Sequence, residues 1–118
     1  MTRLWAVHLT AAAQSDFRGI VRWTIERFGE EQARVYANIL RSTLKDLQDG
    51  PNIIGVKSRD DIAKGLFTLH VARNGHRGRH LVLFRISRSH PVDTLEILRL
   101  LHDAMDLQRH VGTRKDTK

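Results

Sequence analysis

Cysteine is absent from the 118 residues. That excludes disulfides, thiolate nucleophiles and cysteine-ligated zinc, and it fits a reducing compartment, so a cytoplasmic location is expected. No apolar run approaches the roughly 20 residues of a membrane-spanning helix, and no membrane partner is expected. The first ten residues alternate apolar and polar, without an apolar core segment or a small-residue cleavage site, so no signal peptide is expected. Acidic side chains are outnumbered: 13 Asp and Glu face 20 Lys and Arg, for a net charge of +7. Such a balance favours an acidic partner, either nucleic acid or an acidic protein. The plainer reading is a charge that keeps the chain soluble.

What is present is enough for one core. A chain of this length forms a single domain, and 41% hydrophobic content is that of a globular sequence. Residues 4–9 (LWAVHL) read as a strand, with Trp5, Val7 and Leu9 on one side. Thr10 is placed to cap a helix, since its hydroxyl can accept from the first free backbone N–H groups. That helix is expected over residues 11–28, with Ala13, Phe17, Ile20, Val21, Thr24 and Phe28 on one stripe. Trp23 lies off the stripe, either packed on the loop below or left as an exposed contact. Gly29 stops the helix, and a second is expected over 30–47, with Tyr36, Ile39, Leu40, Thr43, Leu44 and Leu47 inward. The short link makes a helical hairpin whose stripes need a shared surface.

Residues 52–64 read as a polar connection anchored by Ile53 and Ile54. From Leu66 the period becomes two. LFTLHVA, HLVLFRI and TLEILRLL give three strands in series, joined by the glycine-rich turn 74–78 and by a turn containing Pro91. The tight links imply an antiparallel meander. TLEILRLL is apolar enough to need cover on both faces. After it, 102–111 reads as a helix-prone tail, and 112–118 as a polar extension outside the domain of residues 1–111. The expected architecture is α+β in two layers: an N-terminal strand and a helical hairpin packed on an antiparallel sheet, whose other face is uncovered and basic.

The candidate partner-binding residues are Arg73, Arg79, Arg85, Arg99, His102, Met105 and Trp23, because cations and imidazoles crowd the second half of the chain. Each has a plainer alternative. His102 can cap its strand, Met105 can be packing, and Arg85 and Arg99 can pair with Glu96. His76 and His80 have metal-pair spacing, but no cysteine or nearby carboxylate completes the set, so no metal and no cofactor are expected.

The order of these elements, with L-T-x-x-A-x-x-D at Leu9, Thr10, Ala13 and Asp16, F-G at Phe28-Gly29, and L-H-x-x-M-D at Leu101, His102, Met105 and Asp106, resembles the RelE/ParE toxin superfamily of type II toxin–antitoxin systems. The ending resembles the ParE branch more closely. The chain departs from the superfamily at 64–67, where Lys-Gly-Leu-Phe stands in place of a tyrosine-containing run. The resemblance implies a toxin that inhibits DNA gyrase by binding, with no covalent chemistry of its own. The implied partner is a cognate ParD-like antitoxin with an acidic tail, forming a hetero-oligomer, and operator DNA would be read by the antitoxin instead of this chain. The alternatives are a RelE-type, ribosome-dependent mRNA endoribonuclease, for which Arg79, Arg85, Arg99 and His102 would be the catalytic set, or an inactive homologue that still binds antitoxin.

Overall fold

The computed structural model describes residues 4–88 and 91–105. The elements are β1 (Ala6–Leu9), α1 (Ala11–Phe28), α2 (Glu30–Asp46), a 3-10 turn (Leu47–Asp49), β2 (Lys57–Ser58), β3 (Phe67–His70), β4 (His80–Ser87) and β5 (Thr94–His102). They form one five-stranded sheet in the order β1-β5-β4-β3-β2. The antiparallel meander β3-β4-β5 is its centre. β1 adds in parallel outside β5, and β2 closes the other edge. The fold is α+β, two helices on a sheet, as expected.

The helix limits follow from their caps. Thr10 Oγ1 accepts from Ala13 N–H at 3.1 Å. Gly29, at φ 93°, ends α1 by giving its N–H to the Ile25 carbonyl and starts α2 with no intervening loop. α2 stops at Asp46, one residue before the expected end, and Leu47 enters the core from the 3-10 turn.

The helix-facing core joins Ala13, Ile20, Leu40 and Leu47 to Leu69, Val71, Val82, Phe84, Leu95 and Ile97. Phe67 stacks on Phe84 at 5.6 Å. The expected stripes face this core: Ala13, Ile20, Thr24, Leu40, Thr43 and Leu47 are buried, and Phe17, Tyr36, Ile39 and Leu44 pack against them. Phe28 departs at 62% exposure, and Ala33 and Ala37, which carry little hydrophobic signal, are buried as well.

The second sheet face is a correction. It was expected to be uncovered, but Ile62 and Leu66 lie across Leu83 and Leu101, with Ala63, Leu81 and Leu98 around them. The end of the connection read as polar, together with Leu66 at the start of the expected strand, thus covers the outer face of β5, which is why that strand is apolar on both sides. The helix-prone tail is a second correction. β5 continues through His102, and Asp103 and Ala104 form a turn, with Met105 N–H bonded to the His102 carbonyl at 3.1 Å. The remainder of the expected tail and the 112–118 extension lie outside the described residues.

Candidate functional site: an imidazole cluster opening on an apolar groove

β3 ends at His70, β4 begins at His80 and β5 ends at His102. Antiparallel pairing brings these ends to one place: His80 is registered against His102, and His70 against Leu81. The cluster is therefore a product of topology, one histidine per strand end. Asp103, the next residue, is its anion. It accepts from His70 Nε2 at 2.8 Å and from Arg79 Nε at 3.1 Å, and its own N–H goes to the Arg79 carbonyl at 2.7 Å. His70, then Arg79, hold the Asp103 carboxyl below the usual carboxylate range.

The tautomers follow from the remaining bonds. His70 Nδ1 accepts from Ala72 N–H at 2.9 Å, so its proton sits on Nε2, aimed at Asp103. His102 Nδ1 accepts from Ala104 N–H at 3.1 Å. Asp103 Oδ1 is 3.7 Å from that nitrogen, too far for a hydrogen bond. His80 Nδ1 meets the Tyr36 hydroxyl at 2.7 Å, and its ring stands edge-on to His102 with centroids 5.4 Å apart. Burial, followed by the neighbouring His102, lowers the His80 pKa to about 4, so the ring is neutral at physiological pH. Burial raises the Tyr36 pKa.

Beside the cluster runs a groove of about 810 Å³, floored by Trp23, Phe28, Val35 and Ile39 and ended by His80, His102, Arg77 and Arg79. Trp23 is 49% exposed, so its ring is not packed away inside the fold. It stands edge-on to Phe28 at 5.9 Å, with the Arg27 guanidinium 5.2 Å above its ring. Met105 joins Trp23, His80 and His102 along an adjoining hollow.

Four of the seven candidate residues therefore come together: Trp23, Arg79, His102 and Met105. Three do not. Arg73 bonds Asp46 at 2.7 Å and the Ile54 carbonyl at 3.2 Å, at the far end of α2. Arg85 pairs with Glu96 at 2.8 Å on the face away from the helices. Arg99 forks onto Asp16 at 2.7 and 2.9 Å, not onto Glu96. No group of three or more His, Cys, Asp or Glu able to hold a metal occurs among the described residues. Tyr36, His80 and Asp103 were missed as site residues. The available signal was the single histidine at each strand end of a tight meander.

Asp16 gives the L-T-x-x-A-x-x-D spacing a physical meaning. β1 stops at Leu9, leaving the outer edge of β5 open beyond Ile97. Thr10 O–H donates to the Leu98 carbonyl at 3.0 Å, and Asp16 accepts from Leu100 N–H at 2.9 Å. The first turns of α1 thus stitch the open strand edge shut.

Residues 7–107 match the family model described as the ParE toxin of the type II toxin–antitoxin system parDE. Toxin ParE1 of Caulobacter vibrioides is 28% identical over 104 residues, covering 88% of this chain and 95% of that protein. Among solved structures, the chromosomal ParDE toxin–antitoxin system of P. aeruginosa superposes with a TM-score of 0.58 at 19% identity, over 85% of this chain and 97% of that one. The RelBE2 toxin–antitoxin complex of Mycobacterium tuberculosis gives 0.57 at 23% identity, over 89% and 98%.

Proposed function

The chain belongs to the ParE toxin family of type II toxin–antitoxin systems, and on that premise we propose that it arrests growth in the cytoplasm by gripping DNA gyrase, with a cognate antitoxin as its neutralising partner. The observation that carries this reading is the groove. Trp23, Phe28 and Val35, at 49%, 62% and 44% exposure, form an apolar shelf that ends beside Arg77. An apolar shelf with a basic end suits a protein segment that is apolar on one side and acidic at one end. An antitoxin tail of that composition would fold onto the shelf, and the +7 charge would speed its capture.

The endoribonuclease reading draws on His102, whose half-exposed ring opens on the same groove near Arg79. Cleavage at a 2′-OH needs free cations for the phosphorane and groups able to exchange protons near neutral pH. Here Arg79 is held by Asp103, Arg85 by Glu96 and Arg99 by Asp16. His80 stays neutral until about pH 4 and so cannot serve as the acid. Binding is the better-supported activity.

Inducing the chain alone and following incorporation of labelled thymidine and labelled methionine tests the choice. DNA synthesis should stop first, and co-expression of the neighbouring antitoxin gene should restore it. Methionine incorporation that stops first would transfer the function to the endoribonuclease reading.

A further inference from the structure

We propose that Ile54, at the tip of the turn Ile53–Val56, is an anchor by which the chain docks on its protein target, fitting an apolar socket with a lysine or arginine at its edge. Both Ile53 and Ile54 were expected to anchor the connection after α2. Ile53 does, packing with Val56 against the helix-facing core. Ile54 turns outward and is 91% exposed, more than any other large hydrophobic side chain among the described residues. A turn tip is ordinarily taken by glycine, proline, asparagine, aspartate or serine. Exposed Trp23, Phe28, Val35 and Met105 belong to the groove and its adjoining hollow. Ile54 belongs to neither.

An isolated exposed isoleucine is ordinary. What sets this one apart is how firmly it is presented. Val56 N–H donates to the Ile53 carbonyl at 3.2 Å, closing the turn. Gly55 takes the third turn position at φ 103°, where a type II turn needs a positive φ. A Cβ on Gly55 would lie 3.2 Å from Leu69 Cδ1, so the turn sits close on β3. Arg73 Nη2 donates to the Ile54 carbonyl at 3.2 Å, while its Nη1 bonds Asp46 at 2.7 Å. The guanidinium therefore ties the end of α2 to the peptide that carries Ile54. This accounts for Arg73, a candidate partner-binding residue whose side chain is only 18% exposed: it positions the anchor and does not itself face the partner. Little backbone freedom is left for a partner to remove on binding.

The surroundings select the partner. Beside Ile54 is a hollow of about 630 Å³ bordered by Asp49, Asn52 and Asn74. Asp49 is exposed and meets no cation among the described residues. An isoleucine with an uncompensated carboxylate next to it complements an apolar socket edged by a cation, which a protein surface supplies. A nucleic acid has no such socket and would set its phosphates against Asp46 and Asp49. The antitoxin is given the Trp23 groove, which follows α2 from Gln32 to Ile39, whereas the Ile54 turn is tied to the C-terminal end of α2 at Asp46. The anchor is therefore assigned to the target, an assignment that rests on the toxin reading above. With the two surfaces apart, the target contact can be broken while antitoxin binding is kept.

The test compares the full chain with Ile54→Asp, Ile54→Leu and Asp49→Lys, all at exposed positions and all checked for native circular dichroism. The readouts are growth arrest on induction, inhibition of supercoiling by purified gyrase, and affinity for the antitoxin from the neighbouring gene. Ile54→Asp and Asp49→Lys should each need about tenfold more toxin for half-inhibition, the equivalent of about 1.4 kcal/mol, and should slow growth less. Ile54→Leu should act as the parent does, and all three should bind antitoxin with parental affinity. Full activity in Ile54→Asp overturns the proposal, as does a parallel loss of its antitoxin binding. Asp49→Lys acting more strongly than the parent, the sign of a phosphate partner, also overturns it. Should the parent arrest growth without inhibiting gyrase, the gyrase reading fails by itself, and the anchor is judged on growth arrest, which Ile54→Asp must relieve. A parent that does neither removes the target and the proposal with it. Concentration-dependent assembly of the chain that Ile54→Asp abolishes would give the anchor to a second copy and overturn the assignment.

Discussion

His80 is held uncharged by its surroundings. It is half-buried at a strand start, faces His102 and bonds Tyr36. In the unfolded chain it takes up a proton near pH 6.5, whereas in the folded chain it does so only near pH 4. Its folded-state pKa is lowered, so the stability linked to it is complete above pH 6.5 and drains away as the pH falls towards 4. A melting-temperature series across that interval should slope downward with acid, and His80→Gln should flatten it; an unchanged slope would remove His80 as the cause. Gly78 is the second sensitive residue. A Cβ there would lie 2.6 Å from Val71 and 2.7 Å from the Tyr36 hydroxyl. Gly78→Ala should therefore cost about 1–3 kcal/mol in denaturant unfolding and disturb the Tyr36–His80 bond. Helical spacing put Tyr36 on the inward stripe, which its ring obeys. The bond its hydroxyl makes to a residue 44 positions away leaves no trace in any local period, and Asp103 was hidden because the tail was read as helix.

At the scale of elements, the legible features were those with local causes. Thr10 and Gly29 fixed both ends of α1, and period-two alternation located β3, β4 and β5. β2 was illegible because Lys57–Ser58 is a two-residue exposed edge with no apolar alternation. The parallel placement of β1 beside β5 depends on the whole chain between them. The stitch from α1 to β5 is where a single element can be tested. Asp16 satisfies Leu100 N–H and Arg99 together, so Asp16→Ala leaves a strand N–H and a guanidinium without their acceptor. A loss of about 1–3 kcal/mol is expected, with faster hydrogen exchange at Leu100. A double-mutant cycle with Arg99→Ala should show that the pair is coupled.

Taken whole, the molecule is a sheet covered on both sides, with its apolar outer surface concentrated along the helices. Ile62 and Leu66 close the second face, so Leu66→Ala should cost about 2–5 kcal/mol by opening a cavity over Leu83 and Leu101. The sequence supported a basic sheet face. The structure instead pairs the sheet arginines Arg79, Arg85 and Arg99 with acids, and the apolar groove lies along the helices beside Arg77. Charge counts cannot anticipate this, because they do not show which arginine finds an acid. The arrangement suits gripping a protein better than cutting a phosphodiester, and one measurement tests that most directly: gyrase-catalysed supercoiling of relaxed plasmid, in a mixture of gyrase, ATP and toxin freed from its antitoxin. Supercoiling should fall with toxin dose and return when the antitoxin is added back. Undiminished supercoiling at excess toxin, alongside cleavage of translated mRNA by the same preparation, would contradict the account.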